Sequence, residues 1–471
     1  NFPMKTSIAL SALALVGVTS LKAKENKQPN FIIILADDQG YEDLGCYGSP
    51  LIKTPRIDKM ASEGMRFTSF YAQTFSGPSR QALLTGSYPA RIARYGNSYT
   101  SRGDIRLSLS EVTIAEVLKT SGYATCMIGK WDMAGHSQEK YDVKLAPSAQ
   151  GFDYSYWTPS SNDKNVNLIR NEQRIETNAD LSTLTKKYTD EAINFVAQNK
   201  DNPFFIYLAH SMPHVTLAAS EDFRGKSKRG LYGDCVEEID YNVGRILDFL
   251  SEQGLDKDTY VIYTSDNGPW WTQGENGGSA LPLRGAKMAA WDGAFRVPCI
   301  VRAPGRVPKG KTSDLVLSSM DFLPTFAALS GSEMPKDRVI DGVDISDVFL
   351  GKQKKLDRCF FFHQHLDLRA VRKGKWKLHL KHEDFNRTPN KMYAAFQNHI
   401  APEDRVMLDV HALYDLDKDI HETENVADKY PEVVAELLKE LEWASGDICN
   451  YRDGRGANAR VDAYTTPKKR R

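Results

Sequence analysis

The strongest constraint on the fold is a series of short, uninterrupted apolar runs that are rich in β-branched and aromatic residues. Runs of this length indicate strands that are buried on both faces of a sheet. Helical stretches separate several of them, and the clearest, at residues 235–252, repeats apolar residues at three- and four-residue spacing. The sequence therefore predicts an α/β fold with a large mixed, mostly parallel sheet sandwiched by helices. The apolar runs are FIIILA at residues 31–36 and those at 123–128, 204–208, 260–263 and 299–301.

The last quarter of the chain has a different pattern. The lysine-rich segment GKQKKL at residues 351–356 predicts a linker, and the apolar runs beyond it are short and lack long intervening helices. A periodic stretch at 431–443 indicates one terminal helix. We predict a main domain over residues 24–355 and a smaller C-terminal α+β subdomain, an antiparallel sheet with a helix, over residues 356–471.

The amino-terminal residues have the layout of a secretory signal peptide. A lysine at position 5 precedes an apolar run at residues 8–18, which is shorter than the roughly 20 residues that a membrane-spanning helix requires. We predict a signal peptide over residues 1–23 and export to the periplasm or the medium, without stable membrane insertion. A buried terminal strand or helix is the alternative interpretation.

Polar residues that can carry chemistry follow several of the predicted strands. Ligands of open parallel sheets bind outside the carboxyl ends of the strands, so these residues are expected to share one edge of the sheet. Three aspartates and one asparagine among them would form an all-oxygen site, which suits Ca²⁺ or Mg²⁺ better than Zn²⁺. The strand-end residues are Asp37, Asp38, Lys130, His210, His214, Asp266 and Asn267.

The segment FSGPSRQALLTG at residues 75–86 predicts a short helix. Pro78 suits its first turn and Gly86 can end it, which places Ser76 at the helix N-terminus. Backbone N–H groups and the positive end of the helix dipole favour a sulfate or phosphate there, and Arg80 adds a fixed positive charge. A simple capping role for Ser76 is the alternative.

Together, these segments resemble the formylglycine-dependent sulfatases of the alkaline-phosphatase-like superfamily. The family signature begins with Cys or Ser, continues x-Pro-Ser-Arg and reaches Leu-Thr-Gly a few residues later; SGPSR at 76–80 and LTG at 84–86 match it. The resemblance implies an alkaline-phosphatase-like fold and hydrolysis of sulfate esters by the main domain. The other matching segments, in the family's order, are PNFIIILADDQGYEDLGCYG at 29–48, GKW at 129–131, PH at 213–214, SDNG at 265–268, LRGAK at 283–287, RVP at 296–298 and LYDL at 413–416.

The resemblance also implies a role for each matching residue. In this family a maturation enzyme oxidises the Cys or Ser to formylglycine, whose hydrate supplies the attacking oxygen beside a divalent cation. Lys130 and Lys287 would hold sulfate oxygens, Arg80 would steady the nucleophile, and His214 would protonate the leaving alkoxide. One cation, Ca²⁺ in preference to Mg²⁺, would bind Asp37, Asp38, Asp266, Asn267 and the formylglycine at position 76.

Two positions leave alternatives open. Where the family commonly has Gly-Lys-Trp-His, this chain has GKWD at residues 129–132, so the histidine that helps to deprotonate the hydrate is missing. Asp132 and His136, in the following loop, are the two candidates for its role. Ser76 is either the encoded precursor of formylglycine or a replacement for cysteine that traps substrate, because an unmodified serine is a far weaker nucleophile.

The expected substrate is a sulfated polysaccharide or oligosaccharide. Trp270 and Trp271 follow the predicted metal ligands and are expected to rim the pocket, where an indole face can stack on a sugar ring; His210 and Arg94 are further substrate-binding candidates. An algal galactan such as carrageenan is favoured over a glycosaminoglycan. The 61 basic and 61 acidic residues argue against a nucleic-acid partner. A phosphoester or phosphonate hydrolase and a catalytically silent glycan-binding protein are the alternatives.

Overall fold

The computed structural model describes residues 28–92, 106–163, 165–364, 367–385, 405–448 and 456–460. The predicted signal peptide and Arg94 lie outside these ranges. The strands are β1 (Asn30–Ala36), β2 (Met65–Phe67), β3 (Phe70–Tyr71), β4 (Ala124–Lys130), β5 (Tyr154–Thr158), β6 (Leu168–Arg170), β7 (Gln173–Glu176), β8 (Phe204–Ala209), β9 (Thr259–Ser265), β10 (Cys299–Arg302), β11 (Lys311–Ser313), β12 (Leu317–Ser318), β13 (Cys359–Gln364), β14 (Asp367–Lys373), β15 (Trp376–His379), β16 (His382–Phe385), β17 (Arg405–Leu408) and β18 (Ala412–Asp415). The α-helices are α1 (Pro55–Ser62), α2 (Ser76–Thr85), α3 (Pro89–Ile92), α4 (Ile114–Lys119), α5 (Leu184–Asn199), α6 (Gly230–Glu252), α7 (Asp292–Phe295), α8 (Phe322–Ser330), α9 (Ser346–Phe349) and α10 (Pro431–Asp447).

The large sheet has ten strands in the order β11-β2-β10-β9-β1-β8-β4-β5-β6-β7. The central strands from β9 to β5 pair in parallel, whereas β10 runs antiparallel to β9, and β6 and β7 extend the other edge as an antiparallel ribbon. All the apolar runs that predicted strands in the main domain lie in this sheet. The prediction of a large mixed, mostly parallel sheet is therefore confirmed.

Helices cover both faces of this sheet. Alternate residues of β1 point to opposite faces, so Phe31 and Ile33 join the apolar core with α4 and α8, while Ile32 and Ile34 join the core with α1, α5 and α6. All four side chains are fully buried. Burial on both faces explains why the strand reads as a continuous apolar run rather than as an alternating one.

The parallel strands end at one level, and this positions the site. In the register of the sheet, Ala36 at the end of β1 pairs with Ser265 at the end of β9, and Leu35 pairs with Ala209 at the end of β8. The residues that follow these strands therefore leave the sheet side by side at its carboxyl edge.

A second, smaller sheet follows in the chain. Strands β13, β14, β15 and β18 pair antiparallel in that order, β16 and β17 form a two-stranded ribbon, and α10 packs on the sheet. The predicted C-terminal antiparallel sheet with one helix is confirmed. Its core includes Phe360 and Phe362 and is continuous with Tyr71, Trp271 and Phe295 of the preceding chain.

A buried ionic network joins the second sheet to helix α7 of the main domain. The Lys377 Nζ of β15 lies 3.0 Å from Asp292 Oδ1 and 2.8 Å from Glu422 Oε1, and His379 Nε2 lies 2.9 Å from the same glutamate oxygen. These side chains are fully buried. Since a buried charge without a partner costs several kcal/mol, each member depends on the others.

Replacing Lys377 with alanine is expected to destabilise the protein by about 3–5 kcal/mol, because two buried carboxylates lose their shared cation. Thermal and urea unfolding, followed by circular dichroism, measure the loss. Lys381→Ala is the matched control, since Lys381 is exposed and lies four positions further on. Equal stability of the two variants would contradict a structural role for the network.

Candidate active site

The carboxyl ends of β1 and β9 bring Asp37, Asp38, Asp266 and Asn267 together, and we refer to these four residues as the carboxylate cluster. The Asn267 side-chain amide donates to Asp38 Oδ1 at 2.7 Å, and the Asp38 backbone N–H donates to Asp266 Oδ1 at 3.1 Å. All four residues are at most 2% exposed. Asp38 has a φ of 62°, a left-handed conformation that costs a non-glycine residue roughly 1–3 kcal/mol and is typical of functional sites.

Ser76 lies against this cluster at the first residue of α2. The helix begins there because Phe75 is extended, with φ of −162°, and ends at Gly86, whose φ of 65° is left-handed. The Ser76 Oγ is 3.0 Å from Asp37 Oδ1 and 3.4 Å from Asn267 Oδ1. The predicted placement of Ser76, at a helix N-terminus beside the strand ends, matches this geometry.

Two cations contact the carboxylate cluster from the side of α2 and β4. Lys130 Nζ is 2.6 Å from Asp37 Oδ2, and Arg80 Nη2 is 2.9 Å from Asp266 Oδ2. The Arg80 guanidinium also donates to the Lys130 backbone carbonyl at 2.8 Å and has no exposed surface. Arg80 is therefore fixed between the helix and the sheet, and its charge is held next to Ser76.

Burial and the close spacing of charged groups shift the pKa values of two carboxyl groups in the cluster. Burial and the neighbouring charge of Asp37 raise the pKa of Asp266 to about 6. Burial acts in the same direction on Asp37, but Lys130 and then His214 hold the pKa of the Asp37 carboxyl well below its usual range. Carboxylates that repel one another in this way favour a bound cation.

The donor set fits a hard divalent cation. The described residues around Ser76 offer carboxylate, amide and hydroxyl oxygens, which are the ligands that Ca²⁺ and Mg²⁺ prefer. One ligand atom each from Asp37, Asp38 and His214 lie within 4.8 Å of one another. If a cation binds here, the carboxylate cluster and Ser76 are the residues that would hold it.

His214 and Lys287 contact the carboxylate cluster through Asp38. His214 Nε2 is 3.6 Å from Asp38 Oδ2, and Lys287 Nζ is 2.7 Å from Asp38 Oδ1. Trp270 packs on both, with its ring 5.3 Å from the His214 ring and 4.7 Å from Lys287 Nζ. Trp271 instead stacks on Phe385 at 5.9 Å within the core shared with the second sheet.

The departure from the family pattern at Asp132 is accompanied by a direct contact with His136. The His136 Nδ1 lies 2.6 Å from Asp132 Oδ1, and Asp132 Oδ2 is 3.9 Å from Lys130 Nζ. Burial opposes charge on the ring, but the Asp132 carboxylate raises the pKa of His136 to about 9. The two residues proposed as alternatives on sequence grounds thus form one pair next to Lys130.

His210 follows β8 at the same edge of the sheet but contacts different groups. Its ring lies 6.3 Å from the Tyr188 ring, and burial lowers its pKa to about 4. Neither ring nitrogen has a hydrogen-bond partner among the described residues. The structure therefore places His210 as a buried, neutral side chain, and its predicted substrate contact stays a prediction.

Sequence reasoning missed the loop that follows β5. The Asn162 side-chain amide and the Asp163 carboxylate both contact the segment that carries His214. The signal was present, because the polar residues of SSND at 160–163 follow a strand that pairs with β4 and so lie at the site's edge of the sheet. The strand itself was not predicted, since YSYWT mixes polar and aromatic residues.

Comparison with known proteins agrees with this geometry. The model of the sulfatase family matches residues 29–332, and the model of the C-terminal region of aryl-sulfatase matches residues 355–455. The chain belongs to the sulfatase family. This sulfatase is 37% identical over 378 residues to the arylsulfatase of Hemicentrotus pulcherrimus, covering 75% of this chain and 68% of that one.

Two further relatives have named carbohydrate ligands or substrates. The sulfatase is 37% identical over 401 residues to the N-acetylgalactosamine-6-sulfatase of Mus musculus, covering 79% of this chain and 75% of that one. It also superposes on the crystal structure of Ps i-CgsB in complex with k-i-k-neocarrahexaose, with a TM-score of 0.72 and 27% identity over 93% of this chain and 96% of that one.

Family membership makes the chain a sulfuric ester hydrolase. Sulfatases of this family generally use a divalent metal and a formylglycine, and the donor set around Ser76 is compatible with both. Within the described ranges, the structure contains no helix with the length and apolar character that crossing a bilayer requires.

Proposed function

We propose that this sulfatase removes sulfate from a sulfated polysaccharide or oligosaccharide, using a formylglycine formed from Ser76 and one bound Ca²⁺. The observation that carries the proposal is the position of the Ser76 Oγ, within 3.0 Å of Asp37 Oδ1 at a helix N-terminus and beside buried cations. A helix N-terminus with lysine and arginine nearby binds a sulfate group well.

Two relatives favour a galactose-type sugar. N-acetylgalactosamine-6-sulfatase is named for a galactosamine sulfate, and neocarrahexaose is a carrageenan fragment, which is a galactan. Both sugars have the galactose configuration, in which the oxygen at C4 is axial, so one pocket shape would accept either. We therefore propose a sulfated galactan such as carrageenan as the substrate, with a galactosamine-containing glycosaminoglycan as the competing choice.

The roles of the side chains follow from their positions. Oxidation of the Ser76 side chain to formylglycine provides a hydrate hydroxyl as nucleophile, and a bound divalent cation supplies Lewis-acid polarisation of the sulfate. Lys130, which contacts Asp37, and Lys287, which contacts Asp38, bind the sulfate oxygens. Arg80 holds residue 76 in place. His214 protonates the leaving oxygen of the sugar through Nε2.

The function is tested with protein produced in a host that has a serine-type maturation enzyme. Mass spectrometry of the peptide containing Ser76 should show the loss of two hydrogens. Desulfation of defined carrageenan and chondroitin oligosaccharides, and hydrolysis of matched phosphate and phosphonate esters, are then measured side by side. Turnover of phosphorus esters alone would favour the phosphohydrolase alternative, and binding of the glycans without turnover by mature protein would favour a silent binding protein.

Replacing His214 with alanine is expected to lower kcat for sugar sulfates by about 10²–10⁴-fold, because the alkoxide then leaves without a proton. With 4-nitrophenyl sulfate the loss should be much smaller, since nitrophenolate is a stable anion. Steady-state kinetics with the two substrate types measure the contrast. His411→Ala, at a half-buried residue of the C-terminal sheet region, is the control. Equal losses on both substrates would contradict the role of His214 as general acid.

We also propose that residues 1–23 direct export to the periplasm or the medium, and that residues 24–355 and 356–471 are the catalytic domain and the C-terminal subdomain. The signal-peptide layout and the lysine-rich segment at 351–356 support these assignments. N-terminal sequencing of protein recovered from cell fractions tests the first, because cleavage after position 23 would leave a chain that begins at Lys24.

A further inference from the structure

The loop that follows β5 reaches across to the segment that carries His214. The Asn162 side-chain amide donates to the backbone carbonyls of His214 at 3.0 Å and Thr216 at 2.8 Å, and the Thr216 N–H donates back to the Asn162 carbonyl at 3.4 Å. Asn162 is fully buried. The backbone of residues 214–216 is therefore held by the Asn162 side chain, from the loop that follows β5.

Asp163, the next residue, lies between two histidine rings. Its Oδ1 is 3.7 Å from His214 Nδ1, and its Oδ2 is 3.8 Å from His136 Nε2. The Ser161 hydroxyl donates to Oδ2 at 2.9 Å, which fixes the orientation of the carboxylate. The Asp163 side chain is 28% exposed, so it lies at the mouth of the site rather than in the core.

The contacts of His214 show which ring nitrogen faces the substrate site. Nδ1 contacts the Val215 backbone carbonyl, and a carbonyl can only accept, so Nδ1 carries a hydrogen. Nε2 is the nitrogen that points toward Asp38 and the cluster. The Asp163 carboxylate, 3.7 Å from Nδ1, lies on the side of the ring from which carboxylates orient catalytic histidines.

Asp163 also connects His214 to the pair of Asp132 and His136, where the chain departs from the family pattern. His136 contacts Asp132 through Nδ1 and faces Asp163 through Nε2, so carboxylates and imidazole rings alternate from Asp132 through His136 and Asp163 to His214. His136 and His214 therefore share the carboxylate of Asp163 as a neighbour. A substitution of Asp163 should therefore affect proton transfer by His214 without removing any group that contacts the sulfate.

We propose that Asp163 is a positioning residue that orients His214 for proton transfer to the leaving oxygen. Asn162 and Asp163 together fix the position of His214 in the active site. The proposal rests on the proposed function, in which His214 is the general acid. It adds a residue outside the matched motifs and explains how His136 is coupled to the site in the absence of the family's usual histidine.

Asp163→Asn is the decisive variant, because it keeps the size of the side chain and removes its charge. We expect kcat for a sulfated galactan oligosaccharide to fall about 10–100-fold, the scale of loss seen when a group that orients a metal-ligating histidine is removed. The kcat for 4-nitrophenyl sulfate and both KM values should stay within about threefold. In a double-mutant cycle, adding Asp163→Asn to His214→Ala should cause no further loss. Glu139→Gln, at an exposed carboxylate that contacts Asn167 and Arg174 instead, is the matched control.

Two outcomes separate this inference from the proposed function. If the wild-type protein desulfates sugars and Asp163→Asn lowers turnover of both substrate types equally, or adds its loss to that of His214→Ala, the positioning role is wrong and the sulfatase activity stands. The ¹⁵N shifts of the His214 ring, measured by NMR in unmodified protein, give a readout that needs no turnover. We expect them to change in Asp163→Asn and not in Glu139→Gln; unchanged shifts would overturn the inference even if no substrate were found.

Discussion

Replacing Ser76 with alanine should lower desulfation by the mature protein by at least about 10⁴-fold, the scale of loss seen when a covalent nucleophile is removed. Alanine offers neither a precursor for formylglycine nor an oxygen beside Asp37 and Asn267. The helix should be unaffected, because Ser76 is its first residue and its side chain does not cap it. Rates on a sulfated galactan oligosaccharide, with thermal unfolding as the check on folding, measure the effect.

Two comparison variants sharpen this result. Ser87→Ala removes another buried serine hydroxyl just beyond the end of the same helix and should leave the rate within about threefold of wild type, since surface and structural changes away from a site act mainly on stability. Ser76→Cys restores an oxidisable side chain and should recover activity in a host with a cysteine-type maturation enzyme. Substantial activity of Ser76→Ala, with its mass confirmed, would show that position 76 does not supply the nucleophile.

The sequence predicted the parts of the site that lie on fully buried strands. FIIILA could be read as β1 because both faces of that strand are covered, and the positions of Asp37 and Asp266 follow from the level ends of β1 and β9. The segment around Ser76 was equally predictable, because Pro78 and Gly86 are local signals for the start and end of a helix. Local chemistry and strand geometry were sufficient there.

Contacts between distant segments were not predictable in the same way. Trp271 was expected at the pocket rim, but it is buried in the core next to the C-terminal strands. Its ring stacks on Phe385 of β16, more than one hundred positions away in the chain. The pairing of His136 with Asp132 depends on the left-handed backbone of Asp132, with φ of 54°, which turns the loop back on itself. A single sequence carries no clear signal for either arrangement.

Replacing Asp37 with asparagine should lower kcat about 10³-fold and abolish stabilisation of the protein by Ca²⁺. In the wild type, Ca²⁺ at 100 times its Kd should stabilise the protein by about 2.7 kcal/mol, because it binds only the folded state. Asp37 contacts Ser76, and Lys130 keeps the Asp37 carboxyl ionised. The substitution therefore removes a charged ligand oxygen and leaves Lys130 without its nearest carboxylate partner. The thermal midpoint, followed with Ca²⁺ and with EDTA, measures binding without requiring activity.

The control for Asp37 is another aspartate at the opposite end of the sheet. Asp153 precedes β5, accepts hydrogen bonds from Thr125 and is paired with Lys119 at 2.7 Å. Asp153→Asn should keep the full Ca²⁺ shift and the full rate, whereas Asp37→Asn should lose the shift and about 10³-fold in kcat, corresponding to several kcal/mol of transition-state stabilisation. Mg²⁺ should stabilise the wild type less than Ca²⁺, because Mg²⁺ requires regular octahedral geometry and retains its water ligands. A Ca²⁺ shift that survives in Asp37→Asn would place the cation elsewhere in the protein and separate it from the residues around Ser76.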